Sequence, residues 1–303
     1  MSTRAMGPGA GWRWLKQAIN LGRHNPKAIF GAVALLALVA LVPSLVQVLL
    51  QQGAGVAQET ALMVVGAMTL AMIVVYPLLI GGLLRVIHAS ETGQPTRARA
   101  LFDTFRAGHD AARLIGFGVL LTAIYIAVFV AVILSFGQEF LSWYMQLLST
   151  GMQADAPSQL PALSELPAGL GTVMALGLLA GLFFGGVYAI GFGQVALGGR
   201  GVGAALADGV AGTLKNVLPI VLLAAIAIVL LFALLLVVGL LGGLLALIGG
   251  LVHESLALLL LLPLYLGMLL VMYVVMFGVM YYMWRDVCGG EAIATRDGSQ
   301  LEV

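Results

Sequence analysis

The chain has 303 residues, of which 61% are hydrophobic and only 9% charged, and its mean hydropathy is +1.09. A water-soluble chain of this size carries roughly 25% charged residues, so the composition excludes a soluble globular protein and makes lipid its main solvent. Net charge is +1, and the single cysteine, Cys288, excludes an internal disulfide framework or a multi-cysteine metal centre.

The chain opens with a polar head, residues 1–27, containing GWRWLKQAINLGRHNP. Trp14, Leu15, Ala18, Ile19 and Gly22 fall on one helical face, with Arg13, Lys16, Gln17, Asn20 and Arg23 mostly off it. This pattern predicts a short amphipathic helix in the membrane interface, its tryptophans at headgroup depth and its cations toward anionic lipid. Asn25 followed by Pro26 then predicts a capped start for the next helix.

A membrane span needs about 20 apolar residues to cross about 30 Å of hydrocarbon. Six charge-free runs meet that requirement, at about 28–50, 61–84, 114–136, 168–192, 217–249 and 256–284. The first is too long for a signal-peptide core and reads as retained, although Gly55-Val56-Ala57 mimics a cleavage site. The fifth is too long for one upright crossing. It is expected either to tilt or to break around Gly239, Gly242 and Gly243, leaving residues 244–249 as a separate piece. Pro43, Pro77 and Pro263 are expected to kink their helices. Residues 137–167 form a long outer connection. Its first part places Phe140, Leu141, Tyr144, Leu147 and Leu148 on one helical face, and GMQADAPSQLPALSELPAG reads as a flexible loop. A polar tail, 285–303, closes the chain as part of the same single membrane domain.

If the spans alternate, all 14 Lys and Arg residues fall on one side. The head carries Arg4, Arg13, Lys16, Arg23 and Lys27, and the second connection Arg85, Arg97, Arg99, Arg106 and Arg113. Arg200, Lys215, Arg285 and Arg296 complete the set. The other side holds Glu59, Glu139, Asp155, Glu165 and Glu254 and no cation. The positive-inside rule then predicts that both termini are cytoplasmic.

The head has echoes. Leu101, Phe105 and Gly108 keep the spacing of Leu15, Ile19 and Gly22, and Ala205, Leu206, Asp208 and Val210 keep that of Ala100, Leu101, Asp103 and Phe105. Asn216 and Pro219 echo Asn25 and Pro26, and Gly81-Gly82 matches Gly185-Gly186. These offsets predict three tandem parallel units, each an amphipathic interfacial helix followed by a two-span hairpin, related by an axis along the membrane normal.

Few residues invite a chemical role. Gly177, Gly181, Gly185, Ala189 and Gly193 form a small-residue stripe, and Gly239 and Gly243 repeat the spacing. Such stripes let helices approach closely, here for packing within the chain or for a dimer seam. Trp12, Trp14, Trp143 and Trp284 map near predicted interfaces as anchors. Asp103 and Asp208 occupy matching positions, with Arg106, His109 and Asp110 nearby. That group could hold a metal or catalyse hydrolysis, but no HExxH, GxSxG, phosphate loop or CxxC accompanies it. It reads instead as the solvated face of interfacial helices. The ionisable residues sit at or beyond the span ends, which argues against a charge-relay pump.

The Trp-basic lead-in, the paired glycines and the six spans with both ends inside resemble, over residues 11–284, a family of bacterial six-span inner-membrane proteins of uncharacterised activity. The hairpin-with-lead-in layout is also similar to the membrane domain of some glycerophosphodiester phosphodiesterases, whose catalytic domain is not expected here, so that activity does not carry over. The resemblance implies the membrane fold and transfers no substrate or site residue.

The reading is therefore an all-α integral membrane protein, non-enzymatic, with a structural, partner-binding or lipid-contacting role. The alternative is a small permease or carrier for a neutral or lipid-like molecule. No cofactor, metal site or nucleic-acid partner is expected. The expected partners are anionic headgroups on the cytoplasmic side and a homo-oligomer or another protein. In a Cys288→Ser background, Glu254→Cys should label only from the periplasmic face and Arg296→Cys only from the cytosol; the reverse pattern refutes the orientation.

Overall fold

A computed structural model describes residues 3–53, 58–106, 109–151, 167 and 169–289, and among these it contains helices and no strand. In order they are α1 (Ala10–Ile19), α2 (Pro26–Gly53), α3 (Gln58–Glu91), a 3-10 segment η1 (Ala98–Phe105) and α4 (His109–Phe136). There follow α5 (Gln138–Gly151), α6 (Leu170–Ala196), α7 (Val202–Lys215), α8 (Val217–Val252) and α9 (Glu254–Cys288). Helices α2, α3, α4, α6, α8 and α9 are long and apolar enough to cross a bilayer, so the chain is an all-α, multi-pass membrane protein. In hydrocarbon a helix satisfies its own backbone, which leaves these apolar runs no open alternative. Large side chains remain uncovered along them, Phe232 by 69% and Leu251 by 81%, as faces that lipid covers should be.

The start of α2 follows its local sequence. Asn25 Oδ1 accepts the Ala28 N–H at 3.2 Å, and Pro26 is the first helical residue. Gly22, at φ +88°, turns the chain between α1 and that cap in a left-handed conformation that favours glycine. Asn216 does not repeat the capping. Its buried side chain accepts the Met6 N–H at 2.8 Å and donates to the carbonyls of Arg4 and Gly212, pinning the N-terminal segment against the α7–α8 junction.

Of the two forms open to the fifth span, the structure has the unbroken one: α8 is one continuous helix of 36 residues through Gly239, Gly242 and Gly243. Two expectations are corrected. The second lead-in is not an α-helix but the tighter η1. Helices α3, α6 and α9 outlast their charge-free windows, ending at Glu91, Ala196 and Cys288, because the polar residues of their last turns find partners on neighbouring helices. The helices also continue through Pro43, Pro77 and Pro263. The Gly55-Val56-Ala57 stretch, the Pro-rich loop 152–166 and the tail beyond residue 289 lie outside the described residues.

Contacts divide the chain into two compact units, one of Met1–Val119 with Gly186–Val303, the other of Leu120–Gly185. In the first, α2 pairs with α3 and α8 with α9, while α1 packs on α8 and α9. Each lead-in docks through glycine. A Cβ at Gly278 of α9 would lie 2.9 Å from the Ala18 Cβ of α1, and one at Gly11 would collide with the Pro219 carbonyl. A Cβ at Gly82 of α3 would collide with the Leu101 carbonyl of η1, whose Thr104 hydroxyl donates to the Leu78 carbonyl at 2.8 Å. A Cβ at Gly186 of α6 would lie 2.7 Å from the Thr213 side chain of α7. The three lead-ins thus seat on the second, fourth and sixth spans by one device, with the first lead-in resting on the last span.

The second unit holds the remaining parts of α4 and α6 together with α5. Tyr125 meets the Phe184 ring edge-on at 5.5 Å between centroids, and Phe140 stacks with Tyr144 at 6.1 Å.

Replacing Gly278 with Val forces a branched side chain into α1, an overpacking change that costs roughly 1–3 kcal/mol. Gly278→Val should lower the thermal midpoint in detergent. Gly239→Ala, whose added methyl meets nothing within 4 Å, should hold or raise it. Equal effects would refute the docking role of Gly278.

Candidate functional site

The last turns of α9, YYMWRDVC, surround themselves with α1, α3, α6 and α7 and carry the polar centre of the larger unit. Trp284 Nε1 donates to Gln194 Oε1 at 3.2 Å, and Gln194 Nε2 donates to Asp208 Oδ2 at 2.7 Å. Arg200 Nε closes the chain on the same Asp208 oxygen at 3.0 Å. Asp286 accepts the Trp14 Nε1–H at 3.0 Å and pairs with Arg285 at 3.0 Å. Arg285 also donates to Gln17 Oε1 at 3.2 Å and lies 4.7 Å from the centre of the Tyr282 ring. The Tyr282 hydroxyl donates to Glu91 Oε2 at 2.6 Å, and His88 Nδ1 lies 3.2 Å from the Tyr281 hydroxyl.

A second cluster joins α3, α4 and the end of α6. Asp110 pairs with Arg85 at 2.9 Å and with Arg113, while Arg85 Nε donates to the Ala196 carbonyl at 3.1 Å and Arg113 to the Gly199 carbonyl at 2.7 Å. Asp103 stands apart with Arg106 at 3.7 Å, both more than half exposed. Asp103 and Asp208 are therefore not equivalent, and the matching positions do not converge on one site. Among the described residues no group of three or more His, Cys, Asp or Glu side chains is close enough to hold a metal ion.

Two of the four tryptophans are not interface anchors. Trp14 is fully buried and Trp284 is 6% exposed, and each gives its indole N–H to a partner inside the protein. The face of α1 that reads as lipid-facing in the sequence packs on α8 and α9 instead, with Trp14, Leu15 and Ala18 buried and Ile19 left exposed. Trp12 stays 47% exposed, and Trp143 is half-buried against Phe140. Among the stripe glycines only Gly193 is packed, its Cβ position filled by the Trp284 ring. Gly177, Gly181 and Gly185, like Gly239 and Gly243, have nothing within 4 Å of an added Cβ. Among the described residues no helix approaches them that closely.

Two concave surfaces flank α1. On one side Leu15 and Ile19, with Leu223 and Leu230 of α8 and Val275 and Met276 of α9, line an apolar groove of about 450 Å3. On the other, Arg13, Lys16, Arg23 and Asn20 face Glu91, Tyr282 and Arg285 across a polar cleft of about 470 Å3. No family model, curated protein or solved structure matches the chain. The arrangement itself therefore carries the reading: a closed polar network that holds helix ends together, and beside it a donor-rich cleft open to solvent.

Sequence reasoning missed Gln194, Glu91 and Tyr282, and read Asn216 only as an echo of the Asn25 cap. Gln194 carried a signal, as a lone amide two residues beyond the apolar run in IGFGQVALGG. Such a group needs partners near hydrocarbon. Gln194→Leu orphans the Trp284 donor and should cost about 1–3 kcal/mol, read as a lower thermal midpoint. Trp284→Phe should then cost less on Gln194→Leu than on the native chain; additive losses would show the pair uncoupled.

Proposed function

We propose that this is a non-enzymatic multi-pass protein of the bacterial inner membrane, both termini cytoplasmic, whose basic belt engages anionic lipid headgroups. The observation that carries the reading is a division among the cations. Arg85 and Arg200 are half-buried and pair with carboxylates of other elements, while Arg113 and Arg285, also half-buried, pair within their own helices and reach across to the Gly199 carbonyl and to Gln17. Arg4, Arg13, Lys16, Arg23, Lys27, Arg97 and Arg99 are exposed and have no ion-pair partner among the described residues. A cation near an anionic membrane surface is worth about 1 kcal/mol, and several on one rim act together. The buried carboxylates and amides are engaged with neighbours, which supports a cohesive rather than a catalytic use of that network.

In nanodiscs of mixed phosphatidylglycerol and phosphatidylcholine, the protein should retain phosphatidylglycerol in excess of the bulk ratio, measured by native mass spectrometry. The excess should shrink with added salt, because exposed charges are screened. It should also shrink in the triple variant Lys27→Gln, Arg97→Gln, Arg99→Gln. A bound-lipid ratio equal to the bulk at low salt would refute the proposal.

A further inference from the structure

Resting on that reading and going beyond it, we propose that the cleft between α1 and the ends of α3 and α9 is a binding site for a phosphate group. The group would belong to a lipid headgroup or to a soluble phosphorylated compound.

The donors of the cleft are held before any ligand arrives. Asp286 and Gln17 hold the Arg285 guanidinium through hydrogen bonds, and it lies over the Tyr282 ring. Gln17 spends its oxygen on Arg285, which leaves the amide nitrogen as a donor. Tyr282 spends its hydroxyl hydrogen on Glu91 and so fixes a carboxylate that lines the cleft. Preorganised donors of this kind lower the cost of ordering a bound anion.

The charge then decides the class of ligand. Among the described residues, Arg285 is offset by Asp286 and Arg13, Lys16 and Arg23 face one carboxylate, Glu91, so two positive charges in excess line the cleft there. A phosphate monoester carries close to two negative charges at neutral pH and offers three acceptor oxygens. Arginine forks match those oxygens in pairs. The volume, about 470 Å3, falls in the range of about 300–1,000 Å3 typical of small-molecule sites. A ligand with acyl chains also finds an apolar groove on the opposite flank of α1, one helix width of about 10 Å away.

The test uses the full chain in phosphatidylcholine nanodiscs and reads the protection of Lys16 from amine acylation by mass spectrometry. The probes are inorganic phosphate, methyl phosphate and, in a separate arm, phosphatidic acid in the nanodisc. At least one should give saturable protection. Arg13→Gln and Arg23→Gln, both exposed and outside the packed face of α1, should each weaken it about tenfold, the loss expected for one charge-assisted hydrogen bond. Glu91→Gln keeps an acceptor for Tyr282 and removes a negative charge, so it should tighten binding several-fold. Protection by methyl phosphate identifies a soluble source, and protection by phosphatidic acid alone identifies a headgroup. Protection by no probe, or protection indifferent to all three substitutions, overturns the site. Phosphatidylglycerol retention that persists in Arg13→Gln and Arg23→Gln but falls in the Lys27, Arg97 and Arg99 triple variant would keep the belt while leaving the cleft to stand or fall on the phosphate arms.

Discussion

A helix that carries a polar group just beyond its apolar run must give that group a partner, because an unpaired donor or acceptor shielded from water costs about 1–3 kcal/mol and a charge costs more. Arg85 on α3, Gln194 on α6 and Asp286 on α9 each meet this constraint by reaching a different element. Their partners are Asp110 with the Ala196 carbonyl, Asp208 with Trp284, and Trp14. The packing of the larger unit follows from those three solutions. Apolar contact between helices gains little where the solvent is itself apolar, so hydrogen bonds and close van der Waals contact decide which helices meet.

Glycine makes those contacts possible. Gly82, Gly186 and Gly278 leave room for a lead-in segment to lie directly on span backbone, and the lead-ins in turn supply Thr104, Asp208 and Trp14 to groups on the spans. Close approach and polar pairing therefore depend on each other. A bulkier residue at one of these glycines would push the lead-in away and break the hydrogen bonds that its approach allows.

The same geometry sorts the cations into two populations with different physics. Those turned inward lose solvent and are held by carboxylates, so they serve cohesion. Those turned outward on α1 and at Arg97 and Arg99 have no ion-pair partner among the described residues, and exposed like charges of this kind raise the local positive potential. Helix α1 contributes to both sides of this division. Its buried face carries the Trp14 bond to Asp286, and its outer face carries Arg13 and Lys16 into the cleft.

The sequence alone determined the solvent, the number of long apolar helices and the Asn25–Pro26 start of α2, because each depends on local composition or on a cap a few residues away. It also marked α1 as amphipathic, since helical periodicity is a local property. What covers that apolar face was decided only by tertiary structure. An apolar stripe reads the same whether lipid or another helix lies against it, so Trp14 and Trp284 pass for interface anchors until α9 is seen beside α1. The continuity of α8 through Gly239 and Gly243, the open space around Gly177, Gly181 and Gly185 among the described residues, and the 3-10 form of η1 were likewise beyond local reading. The cleft is the clearest case: Arg13 and Lys16 meet Glu91 and Arg285 only because docking at Gly278 brings distant parts of the chain together, and nothing in the spacing of those residues encodes their meeting.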